Sequence, residues 1–65
     1  MNVTDIEKCY ARIFKTHEGM LVLSHLRKIT IERVLGSDSS DAALRTLEGQ
    51  RALVRQIEHL IQRGE

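Results

Sequence analysis

Apolar residues in the first part of the chain fall at Ile6, Cys9, Tyr10, Ile13 and Phe14. This i, i+3, i+4, i+7, i+8 spacing is one face of an amphipathic helix. Glu7, Lys8, Arg12 and Lys15 take the other face. Thr4 or Asp5 can cap its start, and Thr4 with Glu7 has capping-box spacing. The pattern predicts a first helix over 5–15. Thr16 then offers a second N-cap, with Glu18 in the first turn where the helix dipole favours an acid. A second helix follows over 17–29, with Met20, Val22, Leu23, Leu26 and Ile29 apolar and Leu21 at the edge. Its stripe is wider than the first, which predicts a central position touching both neighbours.

The stretch from Ile29 to Leu35 carries Ile29, Thr30, Ile31 and Val34, all β-branched, among charged residues. It reads either as more helix or as extended chain. Gly36 to Asp41 reads as loop; together, residues 30–40 form the predicted connection. Ser39 or Ser40 then caps a third helix over 41–63, ended by Gly64. Its stripe is Leu44, Leu47, Val54, Ile57 and Ile61, with Ala43, Leu53 and Leu60 alongside. At 1.5 Å per residue it is ~35 Å long and outreaches its neighbours. The expected fold is therefore all-α: a single domain over 1–65, with a short helix pair packed against a longer C-terminal helix. The expected core is Ile6, Tyr10, Ile13, Phe14, Val22, Leu23, Leu26, Leu44, Leu47, Val54, Ile57 and Ile61. Some apolar face of the third helix should remain for another chain.

Length sharpens that expectation. For 65 residues and 7.4 kDa, area scaling gives roughly 4,200 Å² folded against about 10,700 Å² unfolded. Apolar burial and the cost of ordering the chain each come to about 100 kcal/mol. The isolated chain is thus expected to be marginal, and a partner or a second copy would help it. Net charge is +1, from 10 Lys+Arg and 9 Asp+Glu, so there is no bulk attraction to nucleic acid or acidic lipid. The longest apolar run, Met20 to Leu23, is too short to span a bilayer. The start of the chain has no basic and apolar signal-peptide pattern, which gives an expectation of a cytosolic or intracellularly assembled protein.

Candidate chemistry is thin. Cys9 and His17, and His17 and His25, are eight apart, unlike zinc-ligand spacing; His59 is on the polar side of the third helix. Cys9 lies in the first apolar stripe, where a buried inert thiol is expected. Ser24 and His25 are adjacent on a helix and point in different directions, so they form no dyad. No catalytic, cofactor-binding or metal residues are assigned, and no small-molecule substrate or membrane contact is expected. Gly19 and Gly49 each sit inside a predicted helix, at a cost of ~1 kcal/mol relative to Ala. Close approach of another helix, from this chain or a partner, would account for them. Seven of the ten basic residues are arginine. Those on the third helix suit an internally paired face, or a protein contact. The candidate partner interface is Gly49, Arg51, Leu53, Arg55 and Leu60. No helix-turn-helix or base-stacking pattern is present, so direct nucleic-acid contact is not expected.

From Tyr10 the spacing becomes more specific. Tyr10-x-x-x-Phe14-x-Thr16-x-Glu18-Gly19-x-x-Val22-Leu23-x-x-Leu26, followed later by Glu48-Gly49-Gln50-Arg51 with Val54 and Ile57, resembles the small Bbp19-like proteins of tailed bacteriophages and prophages. The resemblance covers about residues 10–61. It departs at His17, where family members often have proline, and in Thr30 to Ser40, where this chain has no aromatic residue. The resemblance transfers no catalytic or binding residue. It implies a phage structural setting: a non-enzymatic virion or assembly protein, assembled in the host cytoplasm, contacting portal, capsid or tail proteins and copies of itself. The alternative is a small phage regulator that binds a host protein or nucleic acid.

Overall fold

The computed structural model describes residues 2–65. Three helices follow in order: α1 (Val3–Phe14), α2 (His17–Ile29) and α3 (Asp41–Arg63). The two later helices have the predicted bounds. α1 starts two residues before its predicted start, and a different pair caps it. The Asn2 side-chain oxygen accepts from the Asp5 N–H at 3.0 Å, and Asp5 accepts from the Asn2 N–H at 3.4 Å. Asn is a stronger N-cap than Thr, and Asn2–Asp5 has the same three-residue reach as Thr4–Glu7. Glu7 is thereby free to face Arg63 of α3 at 3.7 Å.

The corner between α1 and α2 is built by Thr16 and Gly19. The Thr16 hydroxyl accepts from the Gly19 N–H at 3.0 Å and donates to the Ile13 carbonyl at 2.8 Å. One side chain thus closes the end of α1 and opens α2. Gly19 is buried, and a Cβ on it would lie 2.8 Å from the Phe14 Cα and closer still to the Ile13 carbonyl oxygen. This is the close approach expected of that glycine. His17 takes the first helical position, whose N–H has no helical acceptor, which is also where proline is tolerated.

α2 ends at Thr30, whose hydroxyl donates back to the Leu26 carbonyl at 2.6 Å. The β-branched run beyond it forms no strand. A Glu32 N–H to Arg27 carbonyl bond at 2.9 Å and an Arg33 N–H to Thr30 carbonyl bond at 3.3 Å keep it in tight turns. Ser40 caps α3 by accepting from the Ala43 N–H at 3.1 Å, and Gly64 closes it through the Leu60 carbonyl at 3.1 Å.

The long C-terminal helix packs against the first two, mainly on α1. The buried apolar side chains are Ala11, Leu47, Val54 and Ile61. Leu47, Val54 and Ile61 are seven apart and form one line along α3. Ala11, absent from the expected core, is buried because the end of α3 crosses α1 there. A Cβ on Gly64 would lie 2.6 Å from the Glu7 carbonyl carbon and 2.9 Å from the Ala11 Cβ. Tyr10, Phe14, Leu23, Leu26 and Ile57 are half-buried, with the Tyr10 and Phe14 rings stacked at 6.1 Å.

Four expected core residues are exposed instead: Ile6, Ile13, Val22 and Leu44. The reason is placement. α2 sits at the margin rather than the centre, so Met20, Leu21, Val22 and Ile29 also keep much of their surface in solvent. The exposed apolar surface therefore lies on all three helices and not chiefly on α3. The chain is elongated, 42 × 25 × 14 Å, with a Cα radius of gyration of 14.0 Å; a compact chain of this length has about 10.7 Å.

The two helical glycines, Gly19 in the first turn of α2 and Gly49 within α3, predict opposite responses. Gly19→Ala forces a methyl into the α1 backbone and should cost about 1–3 kcal/mol. Nothing lies within 4 Å of a Cβ on Gly49, so Gly49→Ala should stabilise the chain by about 0.5–1 kcal/mol. Thermal melts followed by circular dichroism check both; a lower Tm for Gly49→Ala would contradict the open space there.

Candidate partner-docking groove

The arginines of the middle of the fold face inward. Arg51 on α3 donates from Nε to the Thr30 carbonyl at 2.9 Å, from one terminal nitrogen to Glu48 at 2.6 Å, and from the other to the Arg33 carbonyl. Its planar fork reaches three acceptors from three separate nitrogens in fixed directions, a geometry that the compact ammonium of a lysine does not reproduce. Arg27 on α2 meets Glu58 of α3 at 2.6 Å and Glu32 at 3.8 Å. These two arginines hold the end of α2 and residues 30–33 against α3. Thr30 is only 5% exposed, and its carbonyl accepts from both the Arg33 N–H and the Arg51 Nε.

Between the segments so held is an open groove of about 320 Å³. Leu26 and Ile29 of α2 and Leu53 and Val54 of α3 supply its apolar lining; Thr30, Arg33 and Gln50 complete it. Leu53 is 58% exposed and Ile29 44%. Val22, four residues before Leu26 on the same side of α2, is also exposed.

Charge pairing around the groove is uneven. Glu7, Glu32, Glu48, Glu58 and Glu65 are in ion pairs. Asp5 in the capping box, Glu18 and Asp41 in the first turns of α2 and α3, and Asp38 make no ion pair among the described residues. Of the ten Lys and Arg, Lys15, Arg27, Arg51 and Arg63 are paired; Lys8, Arg12, Lys28, Arg33, Arg45 and Arg55 make no ion pair among the described residues.

The family model for the Bbp19-like phage protein matches residues 10–62. The chain belongs to the Bbp19-like phage protein family. No curated protein and no solved structure matches it. The family span takes in the Thr16–Gly19 corner, the whole of α2, the groove and nearly all of α3; the first two turns of α1 precede it. Two elements of the Bbp19-like pattern now have a physical meaning here. Thr16 and Gly19 make the corner, and Arg51 of Glu48-Gly49-Gln50-Arg51 ties residues 30–33 to α3.

The residues expected at an interface are dispersed around α3. Leu53 forms one wall of the groove. Gly49, one turn before it, is exposed with free space above it. Arg55 is exposed and Leu60 half-buried. Arg51, whose side chain is 21% exposed, is engaged within the chain. Leu26, Ile29, Arg33 and Gln50 were not foreseen as a site. The wide apolar stripe of α2 was the available signal, but it was read as core. His17, His25 and His59 are exposed, Cys9 is half-buried, and the described residues hold no cluster of three or more His, Cys, Asp or Glu arranged for a metal. No helix among them is long and apolar enough to cross a membrane.

Arg51→Ala should destabilise the chain by about 1.5–3 kcal/mol, the range for charged donors, and expose the amides of residues 30–33 to hydrogen exchange. Arg51→Lys should recover little of either. Urea melts with exchange read by NMR test this; full recovery by lysine would show that charge alone suffices.

Proposed function

We propose that this Bbp19-like chain is a non-enzymatic component of the phage particle or of its assembly. It acts through helix-mediated contacts with portal, capsid or tail proteins, and with further copies of itself where the assembly repeats. It is built in the host cytoplasm and resides in the virion. One observation carries this reading beyond the family: the fold leaves too much surface open for a chain that must stand alone. Its accessible surface is 4995 Å², against roughly 4,200 Å² for a compact protein of this mass. The difference, about 800 Å², is the area one partner contributes to an interface of standard size. A marginal fold of this kind gains stability by binding, because the partner favours only the folded form.

The reading as non-enzymatic rests on the residues themselves. Cys9 lies half-buried among apolar neighbours in α1, and Ser24 and His25 are successive residues of one helix that diverge by about 100°. Among the described residues, neither has a hydrogen-bonded orienting acid. No cofactor is assigned.

Quantitative peptide mass spectrometry of gradient-purified particles, calibrated on the portal and major capsid proteins, tests the proposal. A fixed stoichiometric ratio is expected. A portal-like copy number would place the protein at the connector or tail, and a capsid-like number on the shell. Absence from particles, with expression confirmed in the infected cell, would overturn the mature-virion reading. The remaining roles would be a transient assembly factor or a regulator binding a host protein or nucleic acid.

A further inference from the structure

α2 is attached to the fold differently at its two ends. At its start, Gly19 lies against the Ile13–Phe14 backbone, and the Thr16 hydroxyl bonds to both helices. Of the thirteen residues of α2, Gly19 alone is buried. Leu23 and Leu26 are half-buried, and Met20, Leu21, Val22 and Ile29 stay exposed.

At its far end the attachment is polar. Arg27 donates to Glu58 of α3 at 2.6 Å, and Arg51 of α3 donates to the Thr30 carbonyl at 2.9 Å and to the Arg33 carbonyl. Each of these is a guanidinium contact, and all fall within residues 27–33. The side chains of Arg27, Glu58 and Arg51 are 37%, 27% and 21% exposed, so water competes for these contacts. Beyond Arg33 the chain reaches Ser40 without a helix, and Val34 in that stretch is 89% exposed.

α1 is held to α3 in another way. The backbone at Gly64 lies against Glu7 and Ala11 with no side chain between, and Ala11 and Ile61 are buried. The Gly64 contact uses no residue of α2. The chain thus has one close-packed junction and one polar latch, and breaking the latch leaves the junction intact.

We infer that α2 with residues 30–33 is a latched arm. Its far half opens from α3 as one unit when the Arg27 and Arg51 contacts release, while α1 stays seated on α3. The groove exists only in the latched form, because opening parts Leu26 and Ile29 from Leu53 and Val54. A molecule that bridges both walls therefore holds the arm closed.

Native-state hydrogen exchange read by NMR on the full chain tests this. Relative to intrinsic rates, amides 23–29 should exchange about tenfold or more faster than amides 54–61. Arg51→Ala should speed exchange at 23–29 by about tenfold or more. The deciding variants lie outside the latch. Ala11→Gly weakens α1, which is still folded in the open form. It should lower protection at 54–61 about fivefold and leave 23–29 unchanged. Gly49→Ala strengthens α3 without risk of unfolding; it should raise protection at 54–61 by about two- to fivefold, again with 23–29 unchanged. Equal protection in the two sets would overturn the inference. So would matching changes in both sets with Ala11→Gly or Gly49→Ala, which would show that the three helices open only together. No change at 23–29 in Arg51→Ala would overturn it as well.

Discussion

At α1 the backbone is approached twice with no side chain between, by Gly19 at its end and by Gly64 near its middle. A Cβ at either position would overlap backbone atoms of α1. These two contacts bring α2 and the end of α3 onto the same short helix, and the remaining packing follows from them. Ala11 is buried because only a small residue fits beneath the end of α3. Leu47, Val54 and Ile61 are buried because α3, seated at its last turn, carries one line of its surface inward. A helix of three turns has little stability alone, so α1 persists through the neighbours it permits to come close.

That arrangement leaves the fold unfinished on one side. α2 meets α1 at the corner and reaches α3 mainly near its C-terminal end, where Arg27 and Arg51 draw the two together. Apolar side chains along α2 then have no layer over them. A second helix laid there would complete a packing that the chain alone leaves open. The same arginine contacts use up the carboxylates nearest the groove and leave Arg33 unmatched. The pairing that stabilises the chain thus also shapes the charge around the groove.

Much of this was legible residue by residue. Thr16, and Ser39 or Ser40, mark helix starts because a hydroxyl there can accept from an N–H two or three residues on, and the bonds present are those of Thr16 and Ser40. Gly19 was legible because a glycine in a helix needs a reason, and the Ile13–Phe14 backbone supplies it. Gly49 posed the same question and has no neighbour within the chain. The capping of α1 was misplaced because Thr4–Glu7 and Asn2–Asp5 have identical spacing; the stronger capping by Asn and the Glu7–Arg63 contact separate them. The core was overstated at Ile6, Ile13, Val22 and Leu44. Periodicity says which side of a helix is apolar, not whether anything covers it.

By itself, then, the sequence determined the local quantities: three helices, the bounds of α2 and α3, the corner, and the family pattern. Each depends on spacing within a few residues, where chain geometry leaves one answer. Only the tertiary structure decided which apolar faces are buried, that Arg51 turns inward to Thr30 and Arg33, and that Leu26, Ile29, Leu53 and Val54 meet across a groove. Those contacts join residues some twenty or more positions apart. They depend on the angle and closeness at which α3 crosses α1 and α2, which backbone contact at Gly19 and Gly64 sets and no periodicity encodes.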